Sequence, residues 1–297
     1  MHESSAPDEK PRTHWLRRAA HFPVIRILLF TTGISLSLHL VGLVHDGLGQ
    51  ALGEGWPSSA ANLALQILAV HFVYCGIVRL LEQRRAAELA LSGAVQETGA
   101  GVLVGGGCLT VTVGLIAALG YYRVEEIGAW SALAAAFHMA VASSYIEEVI
   151  FRGVIFRITE EALGSWLALG ITVALFGLVH LGNPNASLYG AAAIGVEAGV
   201  LLAAAYVLTR RLWLVIGIHF GWNFIQGGVF GPNVSGIRVE SLLRSELSGP
   251  ELLSGGSLGV EGSIFAIIVC LLASLAILHL ARLQDRFIQP FWRRKGS

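Results

Sequence analysis

Three short clusters of polar residues lie inside otherwise apolar stretches of this 297-residue chain. In chain order they are Glu147, Glu148 and Arg152, then Phe176 and His180, then His219 and Asn223. Ionisable groups at the depth of a bilayer are costly and mark function by default. Carboxylate, imidazole and amide groups together can position a water molecule, accept its proton and stabilise an oxyanion. The clusters therefore predict an acid–base site assembled between helices.

The spacing within the first cluster separates the two glutamates. Glu148 and Arg152 are four residues apart, so on a helix they share a face and can pair. Glu147 is rotated about 100° from Glu148, so it points elsewhere. A carboxylate without a partner in a cavity of low dielectric constant suits a general base. The structural alternative is that both acids only cap or pair near a helix end.

The same residue types admit a second chemistry. Glu147, His180 and His219 could form a metal site with two histidines, one carboxylate and an open position, as zinc enzymes use. Taken singly, each histidine is more often a packing or interfacial residue. Glu197, in an alanine-rich run, is either part of the cavity or a packing carboxyl kept neutral. Arg26 is expected to extend its side chain to the inner headgroups.

Composition places these clusters in a membrane protein. The chain is 54% hydrophobic and 13% charged, against about 25% charged residues in soluble domains. The net charge is zero, which gives no case for nucleic acid binding, and the three cysteines lack metal-site or redox spacing. The predicted fold is an all-α, polytopic bundle of about eight membrane-spanning helices. The predicted spans are Phe22–Val44, Ala60–Leu81, Gly101–Tyr121, Trp130–Ile158, Trp166–Leu181, Leu188–Leu208, Leu212–Val229 and Ser263–Leu280.

The distribution of Lys and Arg predicts the orientation of these spans. Sixteen lie in segments that an N-in arrangement places inside, and three lie outside, so both termini are expected to be cytoplasmic. The first span is predicted to be a retained signal anchor. The closely spaced glycines at 99–107 indicate close helix approach rather than nucleotide binding. The glycine-rich segment of residues 230–262 is either a structured lid or a solvated linker.

The ordered triple of motifs, Glu147-Glu148-x-x-x-Arg152, Phe176-x-x-x-His180 and His219-x-x-x-Asn223, resembles a known family. This is the CAAX protease and bacteriocin-processing (CPBP or Abi) family of intramembrane endopeptidases, to which the Ras-converting CAAX endopeptidase belongs. The resemblance covers about residues 130–280, and the segment 249–263 resembles a loop of prokaryotic members. It implies that Glu147 is the general base, that His180 helps hold the water and that His219 and Asn223 form the oxyanion site. Glu148 and Arg152 would support this geometry.

The resemblance divides the chain into four parts. They are a cytoplasmic tail (1–20), N-terminal transmembrane helices (21–129), a catalytic transmembrane core (130–282) and a basic C-terminal tail (283–297). We expect a multi-pass protein of a prokaryotic cell membrane that hydrolyses peptide bonds of membrane-associated substrates, either prenylated CAAX-type or transmembrane segments. The family was formerly classed as metalloproteases, and a glutamate mechanism without a cofactor is favoured here over a zinc-dependent one. The rival hypothesis is a non-catalytic membrane immunity or transport protein that uses the same buried polar cluster.

Overall fold

A computed structural model describes residues 22–52 and 55–294, without the side chains of residues 48–52. The predicted N-terminal tail of residues 1–20 and the end of the predicted C-terminal tail lie outside this part. In chain order the elements are α1 (Pro23–Leu52), α2 (Trp56–Leu81), α3 (Ala94–Ala118), β1 (Tyr122–Ile127), α4 (Ala132–Glu148), α5 (Arg157–Leu163), α6 (Ser165–Val179), α7 (Leu188–Ile194), α8 (Val200–Thr209), α9 (Trp213–Asn223), β2 (Leu243–Leu247), α10 (Glu251–Ser254) and α11 (Ile264–Leu283).

The prediction of an all-α, polytopic bundle is confirmed. Among the described residues, six helices are long and apolar enough to cross a membrane: α1, α2, α3, α6, the continuous α7–α8 helix, and α11. The other two predicted spans are also helical, α4 running into α5 and α9 extending to Phe230. These two contain the first and third polar clusters, which lower their hydropathy. The third span begins at Ala94, seven residues before its predicted start.

Three helices are interrupted by π-helical segments. Val149–Phe156 joins α4 to α5, Gly195–Gly199 joins α7 to α8, and Phe224–Phe230 continues α9. A π-helical segment is rare within an α-helix and is frequently found at functional sites. The first contains Arg152 and the third directly follows Asn223. Two of the three segments therefore adjoin the predicted site.

Glycines bring α3 and α9 into backbone contact. A β-carbon added at Gly105 would lie 2.0 Å from the carbonyl oxygen of Ile218, and one at Gly101 would lie 2.3 Å from that of Leu214. Only a residue without a side chain fits at such a distance. The predicted role of the 99–107 glycines is confirmed at these two positions, whereas Gly107 has open space around it. The contact fixes α9, which carries His219 and Asn223.

The segment between α9 and α11 is folded against the bundle. Its strand β2 pairs antiparallel with β1, which follows α3, and Gly236 donates a backbone hydrogen bond of 2.7 Å to Leu258. Ser235 donates hydrogen bonds to the buried carboxylate of Glu261. The alternative of a solvated linker is therefore wrong. The two-stranded ribbon was not predicted.

Ion pairs join the helix ends near Glu82. Arg26 pairs with Glu82 and Glu161, and Arg157 donates to Glu82 over 2.9 Å. The expectation that Arg26 extends to the headgroups is therefore wrong, because its guanidinium binds two carboxylates of the protein. This network ties α1 and α2 to the C-terminal end of the helix that contains the first motif.

Candidate functional site

Glu148 and Arg152 form a fully buried ion pair. Arg152 donates from Nη1 to Glu148 Oε1 over 2.9 Å, and both side chains have 0% exposure. The predicted pairing of these residues is confirmed. The Nη2 atom of Arg152 also lies 3.4 and 3.3 Å from the carbonyl oxygens of Ala198 and Gly199. Arg152 therefore joins α4 to the π-helical segment between α7 and α8.

Glu148 also binds a histidine of the third motif. His219 Nδ1 lies 2.7 Å from the same Oε1 atom that Arg152 contacts. Because a carboxylate only accepts, Nδ1 carries the hydrogen and the ring is held with Nε2 on its opposite side. This contact could not be predicted from the sequence, since the two residues are 71 positions apart and lie on different helices. Glu148 thus connects the arginine of one motif to the histidine of another.

Glu147 lies on the face of α4 that meets α9. Asn223 Nδ2 donates to Ser143 Oγ over 3.1 Å, and Glu148 contacts His219. Viewed along the axis of α4, the helical repeat places the side chain of Glu147 between those of Ser143 and Glu148. Because both of these side chains contact α9, Glu147 also points toward α9. Its Oε2 atom is buried and has no hydrogen-bond partner in the described part of the chain. The carboxylate is therefore available to a molecule that enters the site.

His180 stands at the end of α6. The helix ends at Val179, and His180 begins a 3₁₀ turn in which its Nδ1 donates to the carbonyl oxygen of Phe176 over 2.6 Å. The bond leaves Nε2 as a hydrogen-bond acceptor. The Phe176 ring is 4.8 Å from the His180 ring and 6.4 Å from the His219 ring, centroid to centroid. Phe176 therefore spaces the two imidazoles, and its other neighbour is the Arg152 guanidinium at 4.5 Å.

A small internal cavity lies between these groups. It offers about 30 Å³ to the centres of water molecules, which is room for one or a few waters. Its wall includes four residues of the predicted motifs, namely Phe176, His180, His219 and Asn223. Glu147, Glu148 and Arg152 are not part of that wall, and the latter two lie behind Phe176 and His219. Four further polar residues line it: Glu197, Ser235, Glu261 and Cys270.

Two larger openings lie beside this cavity. A cleft of about 1150 Å³ is bounded by the ribbon and the segment that follows α9, and Asn233 lines it. Because Ser235 lines the internal cavity, the chain around residue 234 separates the cleft from the cavity. An apolar groove of about 380 Å³ runs between α6 and α7, lined by residues such as Gly177, Leu181 and Val196. These three groove residues directly follow or precede Phe176, His180 and Glu197 in the sequence, and the latter three line the cavity.

The alternative zinc ligands do not form a metal-binding group. Within residues 22–52 and 55–294, no set of three or more His, Cys, Asp or Glu side chains lies close enough together to hold an ion. Glu147, His180 and His219 are therefore not arranged as three ligands of one metal. The Nδ1 atoms of both histidines are engaged by Phe176 and Glu148.

Comparison with known proteins supports the resemblance that the three motifs indicate. Residues 128–225 match the family model described as type II CAAX prenyl endopeptidase Rce1-like. No curated protein and no solved structure matches the chain. The matched segment is a third of the chain and contains all three motifs and Glu197. The resemblance to the CAAX protease family is thereby confirmed for the segment that begins just after β1, ends just beyond α9 and carries the candidate site.

Proposed function

We propose that this chain is an intramembrane endopeptidase in which Glu147 activates the attacking water. One observation carries the proposal. Glu148 binds both Arg152 and His219 through Oε1, whereas the neighbouring Glu147 forms no ion pair with any described residue and has a buried oxygen without a hydrogen-bond partner. Adjacent carboxylates with such different surroundings take different roles, one electrostatic and one in proton transfer.

The histidines and Asn223 supply the remaining parts of a hydrolytic site. Water held by His180 Nε2 would lose a proton to Glu147 as its oxygen attacks the peptide carbonyl carbon. His219 Nε2, when protonated, and the second N–H of Asn223 would donate to the resulting oxyanion. Preorganised donors of this kind contribute on the order of 3 kcal/mol each to catalysis in other hydrolases.

The openings around the site suit a substrate with apolar and extended parts. The groove between α6 and α7 is lined by aliphatic and glycine residues, so it can take a prenyl chain or a transmembrane segment from the bilayer. The cleft beside the ribbon is lined by polar and charged residues, so it can take a hydrated peptide. These features support membrane-associated substrates, of which prenylated CAAX-type peptides are one class.

We further propose that the mechanism uses no metal. The donor geometry supports this, because Glu147, His180 and His219 do not come together as three ligands of one ion in the described part of the chain. In a zinc enzyme the metal activates the water and stabilises the oxyanion. Here carboxylate, imidazole and amide groups would supply both functions. Activity should therefore persist in the presence of a strong chelator.

The test is cleavage of quenched fluorescent peptides by the purified protein, with and without chelator. The panel contains a prenylated peptide, its unprenylated twin and a transmembrane peptide. Glu147→Gln should lower kcat by at least about 100-fold, because general-base catalysis contributes roughly 10²–10⁴. Glu126→Gln is the matched control, since Glu126 is 63% exposed in a surface ion pair and should retain full activity. Full activity of Glu147→Gln would refute the proposal, and complete loss on chelation would favour the zinc mechanism.

A further inference from the structure

Glu197 is a buried acid in the wall of the cavity that the three motifs do not include. It has 1% exposure and lies in the π-helical segment Gly195–Gly199. Its Oε2 atom has no hydrogen-bond partner among the described residues. Because the cavity holds only one or a few waters, Glu197 and the imidazoles of His180 and His219 share the same small space.

The segment that carries Glu197 is fixed on two sides. A β-carbon at Gly195 would lie 2.8 Å from the carbonyl oxygen of Val173, so this segment packs against the backbone of α6. On the other side, Arg152 contacts the carbonyl oxygens of Ala198 and Gly199. The guanidinium that positions Glu148 therefore also positions Glu197. The π-helical segment Gly195–Gly199 thus belongs to the same site as the other two π-helical segments.

The surroundings of Glu197 keep its carboxyl group neutral. No Lys or Arg forms an ion pair with it in the described part of the protein, and the other ionisable groups at the cavity are His180, His219, Glu261 and Cys270. An ionised carboxylate buried this completely without a partner is too costly to persist. Glu147 differs, because its side chain is only partly buried. A neutral carboxylic acid is a hydrogen-bond and proton donor. Glu261, by contrast, already accepts from Ser235 and is committed to holding the segment after α9.

We infer that Glu197 is a further catalytic residue, the acid that protonates the leaving amine. This inference rests on the proposed function. After Glu147 has taken a proton from water, the hydroxyl adds to the carbonyl carbon and a tetrahedral oxyanion forms. As the oxyanion collapses, the C–N bond breaks and the nitrogen takes the proton of Glu197, which gives a carboxylic acid and an amine. Water that enters with the substrate then carries the proton of Glu147 to Glu197, and both groups are reset.

The test compares two substrates that differ only in the leaving group. One is a peptide amide, and the other has the same acyl part as a nitrophenyl ester, whose leaving group departs as a stable anion and needs no proton. Glu197→Gln, which keeps the size of the side chain, should lower kcat for the amide by roughly 100-fold and for the ester by less than about threefold. Glu261→Gln is the matched control and should change both rates by the same factor.

The outcomes separate this inference from the proposed function. An equal loss on both substrates, or no loss on either, in Glu197→Gln would overturn the role of Glu197 and leave Glu147 in place. A wild-type protein that cleaves neither substrate, or a Glu147→Gln variant that cleaves both, would overturn the proposed function itself. If Glu197→Gln does not elute as a folded protein, Glu197→Asp is measured with the same pair. It should shift the amide-to-ester ratio downward, and an unchanged ratio would refute the inference.

Discussion

The ion pair of Glu148 and Arg152 offers a test that separates stability from chemistry. The perturbation is a double-mutant cycle of Glu148→Gln, Arg152→Met and the two together. Both side chains have 0% exposure, and Glu148 Oε1 is shared between Arg152 at 2.9 Å and His219 at 2.7 Å. Each single substitution leaves one buried charge without its main partner. The double substitution removes both charges.

The expected magnitudes follow from these contacts. Removing one member of a buried ion pair costs about 3–5 kcal/mol of folding free energy, whereas replacing both with groups of similar volume is often neutral. The double variant also loses the contact of the Arg152 guanidinium with the Phe176 ring at 4.5 Å, worth about 2 kcal/mol when desolvated. It should therefore be about 1–3 kcal/mol more stable than either single variant. Its catalytic loss should remain, at roughly 10²–10⁴ in kcat, because His219 has lost the carboxylate that orients it.

The assay is thermal unfolding in detergent together with peptide cleavage. The matched control is the exposed pair of Glu126 and Arg244, with an equal distance of 2.9 Å and 63% exposure on both sides. The same cycle there should change stability by less than about 1 kcal/mol. If the double variant at Glu148 and Arg152 loses as much stability as the two single variants together, the two residues do not stabilise each other and the argument is refuted. Recovery of cleavage along with stability would refute the role of Glu148 in orienting His219.

Two further predictions concern the elements that hold the site. Gly105→Ala should destabilise the protein by about 1–3 kcal/mol and lower cleavage, since its β-carbon would lie 2.0 Å from the Ile218 carbonyl oxygen, whereas Gly107→Ala, with open space, should be neutral or stabilising in the same assays. Burial raises the pKa of Glu261 to about 7 from 4.5, against the opposing hydrogen bonds from Ser235. Between these values the native state binds more protons than the unfolded state, so stability should fall as pH rises from 4.5 to 7, by on the order of 3 kcal/mol. Melting temperatures measured across this range should lose that slope in Glu261→Gln, and an unchanged slope would contradict the assignment.

Much of the bundle could be predicted from the sequence because it depends on local patterns. Apolar runs of about 20 residues located the helices, and the four-residue spacing of Glu148 and Arg152 gave their ion pair. The glycines before Gly107 predicted close helix contact because small residues have few other uses in such a run. In each case the interacting residues lie on one helix, or the prediction depends only on the amino-acid composition of a segment. The catalytic roles assigned to Glu147, His180, His219 and Asn223 remain predictions.

The contacts that could not be predicted join residues distant in sequence. Glu148 and His219 are 71 positions apart, and the ribbon pairs Tyr122 with Leu247. Nothing in a strand of five or six residues indicates a partner so far along the chain. The π-helical segments could not be predicted either. Their hydrogen bonds span about one residue more than those of an α-helix, and they have no characteristic composition. For this reason the sequence left open whether Glu197 belongs to the cavity or is a packing carboxyl, and the structure shows that it lines the cavity.

The buried carboxylate oxygens that lack a hydrogen-bond partner support the same candidate site. Among the described residues, the buried carboxylate oxygens without a hydrogen-bond partner belong to Glu147, Glu148 and Glu197. A buried polar atom left unpaired costs about 1–3 kcal/mol, and within a bilayer no solvent relieves that cost. Elsewhere the protein satisfies its buried acids, as Glu82 does with Arg26 and Arg157. Glu197 lines the cavity, and Glu147 and Glu148 lie on the helix that contacts His219 and Asn223. We infer that a protein able to pair its other acids leaves Glu147 and Glu197 unpaired because their oxygens serve the water and the peptide that react.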